Sequence, residues 1–137
     1  MNFWNTDRVR TALDGAVDGE ASRDALELTG VTTDSRAVQR GQLFVALIGE
    51  KFDAHEFIAQ AVESGAGAVV VSRKPAEMLT VPVFEVADTL EALGKLASFW
   101  RRAWGGPIVM VAGSNGKTTT KDIIRAALGR AMIVHAT

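Results

Sequence analysis

The most informative segment of the chain reads Val109-Met110-Val111-Ala112-Gly113-Ser114-Asn115-Gly116-Lys117-Thr118-Thr119-Thr120. Its apolar start predicts a buried strand over residues 108–112, and a helix is predicted over Lys117–Leu128 after the glycine-containing turn. A second strand is predicted over residues 132–136. Together these elements predict one βαβ unit.

The turn in this segment combines the residue types that hold a nucleotide polyphosphate. Gly113 and Gly116 allow main-chain N–H groups to approach an anion, and the start of the following helix adds about half a positive charge. Lys117 can reach the outer phosphates, and the Thr118 hydroxyl is a suitable ligand for Mg²⁺. The match is to a short Gly-x-x-Gly-Lys-Thr pattern, because Val111 stands where the longer pattern has glycine, so an ordinary glycine turn stays open as an alternative.

A break in the chain precedes this segment. Gly105, Gly106 and Pro107 cannot continue a helix, so we place a domain boundary there and predict domains over residues 1–105 and 106–137. The predicted fold class is α/β, with a small N-terminal mixed α/β domain followed by the first βαβ unit of a phosphate-loop domain.

The N-terminal part alternates between strand and helix patterns. The uninterrupted apolar run over residues 43–47 is typical of a central strand that is covered on both faces. Further strands are predicted over residues 26–33, 68–72 and 82–86. Helices are predicted over 6–13, with Asn5 or Thr6 as the cap, over 54–64, and after the capping residue Asp88. The last of these helices is predicted to bury a seam made of Leu90, Leu93, Ala97, Trp100 and Trp104. Its aromatic residues Phe99, Trp100 and Trp104 are interpreted as core or interface packing and not as a platform for bases.

The composition excludes several classes of protein. The chain has 137 residues, of which 47% are hydrophobic, and it balances 15 basic against 16 acidic side chains. These values disfavour a disordered chain and a nucleic-acid-binding protein. The sequence has no cysteine, which excludes disulfides and fits a reducing compartment. We find no signal peptide and no apolar run of about 20 residues, so a cytoplasmic protein without membrane contact is expected.

Two sets of motifs resemble one known family. Residues 113–119, Gly-Ser-Asn-Gly-Lys-Thr-Thr, are similar to the phosphate loop of the Mur ligases, the ATP-dependent amide-forming enzymes of bacterial peptidoglycan precursor synthesis. Upstream, Thr33-Asp34-Ser35-Arg36, the run from Gly41 to Gly49, and Asp53-Ala54-His55-Glu56-Phe57 resemble the N-terminal nucleotide-sugar-binding domain of that family. Ser114, Asn115 and Lys121 favour the branch that adds D-alanyl-D-alanine to UDP-N-acetylmuramoyl tripeptide.

The resemblance implies a role for each matching residue. ATP would phosphorylate the carboxylate of the UDP-muramoyl peptide to an acyl phosphate, and an amine would then displace phosphate. Lys117 would stabilise the transferring phosphate as the catalytic residue, and Thr118 would bind Mg²⁺. The ATP-binding loop would consist of Gly113, Ser114, Asn115, Gly116, Lys117, Thr118 and Thr119. The UDP-sugar substrate would bind at Thr33, Asp34, Ser35 and Arg36.

The same resemblance implies that a longer ligase carries the activity. After the loop, Asp122 is the only carboxylate in the sequence, and it is not a replacement for the acidic Mg²⁺ ligand of the family. We therefore expect this chain to be a fragment or truncated product of such a ligase. It should be a monomer, and its ligase activity on its own should be negligible. A stand-alone UDP-sugar-binding module is the alternative, and an unrelated small kinase ranks last.

Polar residues at the start of the helix predicted over residues 54–64 allow two interpretations. Asp53, His55 and Glu56 are three potential metal ligands within four positions of the sequence. At the start of an amphipathic helix, however, such residues are more often capping residues. We therefore predict capping here and no metal site.

Overall fold

The computed structural model describes residues 2–14 and 25–136. The chain forms two compact units, Met1–Trp104 and Gly105–Thr137. The first carries six strands and three α-helices, and the second carries one α-helix, within the part of the chain that is described. No helix in that part is both long and apolar enough to cross a membrane.

A four-stranded parallel sheet forms the centre of the first unit. Its strands are β3 (Val31–Thr32), β4 (Leu43–Val45), β5 (Ala68–Val71) and β6 (Val83–Glu85), in that spatial order. Every residue of β4 and β5 is buried, as expected for central parallel strands that are covered on both faces. The prediction of a covered strand in the run 43–47 is therefore confirmed.

Alternating side chains of these strands contribute to two apolar clusters, one on each face of the sheet. The first cluster includes Leu43, Val45, Val70 and Phe84, together with Val9 and Leu96 from two helices. The second includes Phe44, Val69 and Val71 with Ile58 and Ala61 from a third helix. The N-terminal unit therefore has a core that is closed from both sides.

The helices of this unit begin where their capping residues predict. Helix α1 (Thr6–Ala12) follows Asn5, whose side chain accepts a hydrogen bond from the Arg8 backbone N–H at 2.8 Å. The helix predicted over residues 54–64 starts as a 3₁₀ turn, Ala54–Phe57, and continues as α2 (Ile58–Glu63).

The single strand predicted over residues 26–33 is instead two short strands, β2 (Glu27–Leu28) and β3 (Val31–Thr32). Strand β2 pairs with β1 (Trp4–Asn5) in a separate antiparallel sheet.

Helix α3 (Thr89–Trp104) corrects one prediction about packing. Asp88 caps it as predicted, because its Oδ1 accepts the backbone N–H groups of Leu90 and Glu91 at 2.7 and 2.9 Å. The buried residues are Thr89, Ala92 and Leu96, and of the predicted seam only Leu93 packs against the core, where it is partly buried. Leu90, Trp100 and Trp104 are 67%, 42% and 51% exposed. The apolar spacing is compatible with two faces of the helix, and contact with α1 and the sheet selects one of them.

The aromatic residues near the end of α3 divide between two environments. Phe99 packs against the rings of Phe3 and Trp4, with centroids 6.2 and 6.0 Å apart. Trp100 and Trp104 stack on one another with centroids 5.9 Å apart and remain partly exposed. Core packing therefore accounts for Phe99 but not for the two tryptophans.

The second unit contains the predicted helix without the predicted strands. Helix α4 spans Lys117–Leu128, the same bounds as predicted. Residues 108–112 and 132–136 form no strand, so that part of the predicted βαβ unit is wrong for this structure. A strand forms only when another extended segment pairs with it through backbone hydrogen bonds. No two segments of the described residues 105–136 pair in this way. Met110 and Ile133, at 86% and 91%, are consequently exposed.

Candidate functional site

Three loops of the N-terminal unit lie at the same edge of its sheet. Residues 33–36 follow β3, residues 46–53 follow β4, and Ser72 and Arg73 follow β5. Since these strands are parallel and adjacent, their carboxyl ends meet at one edge. That edge is where open parallel sheets bind ligands. We refer to it as the carboxyl edge.

The predicted substrate residues form a tight polar turn at this edge. Arg36 donates from Nε and Nη2 to the two carboxylate oxygens of Asp34, each at 2.9 Å. The Arg36 backbone N–H also donates to Asp34 Oδ1 at 3.0 Å, and the Asp34 N–H donates to Thr32 Oγ1 at 3.3 Å. Thr33 and Ser35 lie in the same turn. The structure therefore brings the four predicted residues together around one bidentate ion pair.

This ion pair sets the charge state of the turn. The hydrogen bond from the Arg36 side chain is the main cause that lowers the pKa of Asp34 from 3.8 to about 2, and the Arg36 backbone N–H acts in the same direction. The Arg36 side chain is 83% exposed. Asp34 therefore holds one side of an accessible guanidinium in a fixed orientation.

A second polar cluster at the carboxyl edge was missed as a functional group. His55 Nδ1 lies 2.7 Å from Asp53 Oδ1, and His55 Nε2 accepts the backbone N–H of Ser72 at 2.9 Å. Arg73 Nη2 donates to the other oxygen of Asp53, Oδ2, at 2.5 Å. The His55 side chain is only 4% exposed. The cluster therefore links the loop after β4 to the end of β5.

The hydrogen bonds of His55 assign its tautomer. Because Nε2 accepts from a backbone N–H, the ring proton is on Nδ1, which donates to Asp53. Ser72 Oγ lies at 3.3 Å from Nε2, farther than the Ser72 backbone nitrogen. Asp53, His55 and Ser72 are the residue types of a hydrolytic triad. However, the lone pair of His55 Nε2 already accepts the Ser72 backbone N–H. The ring therefore holds the loop and the strand end together and is not available as a base.

Asp53 serves both the helix and this cluster. Its side chain caps the 3₁₀ turn by accepting the His55 backbone N–H at 2.9 Å, so the capping prediction is confirmed for Asp53. That hydrogen bond is the main cause that lowers the pKa of Asp53; partial burial opposes it, and the His55 ring and Arg73 reinforce it. Within residues 2–14 and 25–136, no three His, Asp or Glu side chains are arranged so that they could hold a metal ion together.

The glycine-containing turn of the second unit has the backbone of an anion site. Gly116 precedes α4 in the left-handed conformation, with φ 73° and ψ 5°, and its carbonyl accepts the Thr120 N–H at 2.9 Å. No side chain caps this helix, and a Cβ added to Gly116 would meet nothing within 4 Å. The start of α4 therefore has no side-chain cap and is uncrowded at Gly116, as an anion site requires.

The predicted loop residues surround this helix start. The Lys117 ammonium folds back over the turn and donates to the carbonyl of Gly113, so it lies above the loop and not away from it. Ser114 and Asn115 form the exposed bend, and Thr118 and Thr119 lie in the first turn of α4. The structure thus gathers these loop residues at one helix terminus within the second unit.

Sequence reasoning could have found the His55 cluster. Each polar residue that directly follows a strand of a parallel sheet lies at the same edge, which places Ser72 and Arg73 beside the loop that holds Asp53. The actual pairing of Asp53 with Arg73 spans 20 positions and depends on how the strands are ordered. No local pattern encodes that order.

Comparison with known proteins identifies the class. A family model described as "Mur ligase family, catalytic domain" matches residues 27–101, just over half of the chain. The chain belongs to the Mur ligase family. The matched residues include the carboxyl edge and both of its ion pairs.

Individual relatives show which members of the family this chain resembles. The chain is 47% identical over 114 residues to the UDP-N-acetylmuramoyl-tripeptide--D-alanyl-D-alanine ligase of Synechocystis sp.. The matched region covers 82% of this chain and 25% of that protein. It is similar to a crystal structure of MurF from Acinetobacter baumannii, with a TM-score of 0.81 and 33% identity over 93% of this chain and 28% of that one.

A second similar structure was solved with a bound nucleotide. The MurF ligase of Thermotoga maritima in complex with ADP has a TM-score of 0.65 and 37% identity, covering 74% of this chain and 23% of that one. The chain therefore spans about a quarter of the length of the relatives that it matches.

Proposed function

We propose that the chain forms the UDP-sugar-binding and ATP-phosphate-binding part of a peptidoglycan precursor ligase of the MurF type. Such a ligase joins D-alanyl-D-alanine to UDP-N-acetylmuramoyl tripeptide. The 47% identity to a protein of that name supports the proposal, as does the TM-score of 0.81 against a MurF structure. The absence of cysteine suits the cytoplasm, where we place this function, and we expect a monomer.

The observation that carries the ATP-binding half is the helix start at Gly116. Its uncapped N–H groups, the open space beside Gly116 and the Lys117 ammonium above the loop together fit a polyphosphate. Lys117 would release Gly113 and pair with the outer phosphates, while Ser114, Asn115 and Thr119 line the turn. Thr118 would offer its hydroxyl to Mg²⁺, whose chemistry is to neutralise phosphate charge.

The UDP-binding half rests on the turn over residues 33–36. Asp34 accepts from Nε and from one N–H of Nη2 of Arg36, so the two N–H groups of Nη1 and the second N–H of Nη2 are left to donate to a phosphate of UDP. Thr33 and Ser35 supply hydroxyl groups in the same turn. The fixed orientation of Arg36 lowers the entropy that binding would otherwise cost.

The chemistry of the proposed reaction needs positioning and charge neutralisation. ATP supplies the phosphoryl group that activates the substrate carboxylate, and the amine then displaces phosphate. We propose that the chain alone shows negligible turnover. The only carboxylate after the loop, Asp122, lies 3.6 Å from Lys121 on α4 and is not offered as a metal ligand.

Calorimetry with Mg²⁺ and ATP tests the loop. Lys117→Met is expected to weaken ATP binding by about 10- to 100-fold, because a charge-assisted hydrogen bond contributes about 1.5–3 kcal/mol. Lys74→Met removes the same charge from the N-terminal unit and should leave the ATP affinity unchanged. Equal ATP affinity of the wild type and Lys117→Met would refute the assignment of the loop.

A second candidate is a UDP-sugar-binding module without ATP binding. It is favoured by the contrast between the closed core of the N-terminal unit and α4, which has no buried residue. Titration of UDP without ATP, followed by ATP with Mg²⁺, separates the two functions. Binding of UDP alone supports the module, whereas micromolar ATP binding supports the ligase part.

A further inference from the structure

Two arginines flank the end of the central strand β4 at the carboxyl edge. Arg36 follows β3 on one side, and Arg73 follows β5 on the other. Because neighbouring strands are about 4.8 Å apart, the backbones at the ends of β3 and β5 are separated by about 10 Å. Two guanidinium groups on stems of this spacing can both reach a diphosphate that lies across β4.

The two arginines are held in the same manner. Each donates to an aspartate at the carboxyl edge, Arg36 to Asp34 and Arg73 to Asp53. Only one nitrogen of Arg73, Nη2, is used in that contact, and the Arg73 side chain is 60% exposed. Its remaining N–H groups are therefore directed to solvent at the rim of the proposed site.

The support behind Arg73 is more elaborate than an exposed ion pair needs. Asp53 Oδ1 is occupied by the backbone N–H and the ring of His55, which leaves Oδ2 for Arg73. His55 is in turn fixed by the Ser72 backbone N–H and is almost fully buried. An exposed ion pair contributes little to stability, so this buried support is better explained as preorganisation of Arg73 for a ligand.

We infer that Arg73 is a second phosphate-binding arginine of the UDP site, and that Asp53 and His55 are the residues that position it. This inference rests on the proposed function, because it assumes that UDP binds at the carboxyl edge. Arg73 would contact the diphosphate from the β5 side while Arg36 contacts it from the β3 side. Asp53 would contact Arg73, His55 would hold Asp53 in place, and neither would contact the ligand.

Calorimetric titration of UDP and of uridine tests the contact. Arg73→Gln should weaken UDP binding by about 10- to 100-fold, the loss expected for one charge-assisted contact, and leave uridine binding unchanged. Arg40→Gln is the matched control, because Arg40 lies three positions before the start of β4 and therefore at the opposite edge of the sheet. A wild-type chain that binds UDP, with Arg73→Gln binding it equally well, would overturn only this inference. A wild-type chain that binds no UDP would overturn the proposed function as well.

Double variants test the positioning role. Asp53→Asn retains a good capping side chain but loses the charge that holds Arg73, and His55→Gln removes the ring behind it. Each should weaken UDP binding without changing uridine affinity, and neither should weaken it further in an Arg73→Gln background. Equal losses of UDP and uridine affinity, or losses that add to that of Arg73→Gln, would assign these residues a structural role only. Thermal unfolding of each variant confirms that the chain is folded.

Discussion

Residues 43–47 and residues 108–112 are both uninterrupted apolar runs, yet only the first contains a strand. Val45, in the first run, is fully buried, whereas Val109, in the second, is 60% exposed. Strand β4 has a parallel partner on each side, and its backbone groups pair with both. The difference shows that an apolar run gives the capacity to form a strand, and that partners turn this capacity into structure.

The two units differ in their polar sites in a related way. The carboxyl edge is built from residues distant in sequence, with Asp53 and Arg73 joined across β4 and β5. The turn before α4 is built from residues adjacent in sequence, with Lys117 reaching Gly113 four positions earlier. The first site therefore depends on the sheet, while the second depends only on a helix start.

The largest expected effect is on amide hydrogen exchange. Amides of β4 and its flanks, such as Leu43 and Ala46, donate to Gly30 and Val70, so they should exchange only when the unit unfolds. They are expected to exchange at least about a thousand-fold more slowly than those of residues 108–112, given unfolding free energies of at least about 5 kcal/mol. Mass spectrometry of peptides from both runs measures this ratio. Similar protection in both runs would show that the second also forms a paired strand in solution.

A matched pair of substitutions tests the same contrast in stability. Val45→Ala should lower the free energy of unfolding by about 2 kcal/mol, since it removes two buried methyl groups and leaves a cavity. Val109→Ala should change it by less than about 0.5 kcal/mol, because the side chain is largely exposed. Urea unfolding followed by tryptophan fluorescence compares the two. Equal costs would mean that Val109 is packed in solution.

The smallest effect concerns the exposed turn over residues 33–36 of the N-terminal unit. The pKa of Asp34 is lowered to about 2, so its pairing with Arg36 stabilises the fold above the ordinary carboxyl pKa of 3.8 and is lost as the pH falls toward 2. Arg36→Gln should raise this pKa toward 3.8. A carbon-13 NMR titration of the side-chain carboxyl group follows the change. An Asp34 pKa near 3.8 in the wild type would show that the ion pair with Arg36 does not form in solution.

Local patterns were sufficient for several features of this chain. The caps Asn5 and Asp88 and the bounds of α4 follow from residue type and short-range periodicity. The family resemblance was also readable, because its motifs are contiguous. Such features depend on interactions between residues a few positions apart in the sequence. These local interactions do not require contacts with the rest of the fold.

Other features could not be read in this way. The seam of α3 was assigned to the face with Leu90 and Trp100, because apolar residues lie on two faces and the sequence does not say which one meets the sheet. The role of His55 was likewise reduced to capping, since its contact with Ser72 joins residues 17 positions apart. Both errors concern contacts between elements and not the elements themselves.

The amino-acid sequence alone determined which segments form helices, where those helices begin, and that a glycine turn with a lysine precedes α4. The tertiary structure alone decided which apolar run became a strand, which face of α3 was buried, and which aspartate holds Arg73. The physical reason is that capping and turn formation are settled by neighbouring residues, whereas strand pairing and burial require a partner surface that the folded chain supplies.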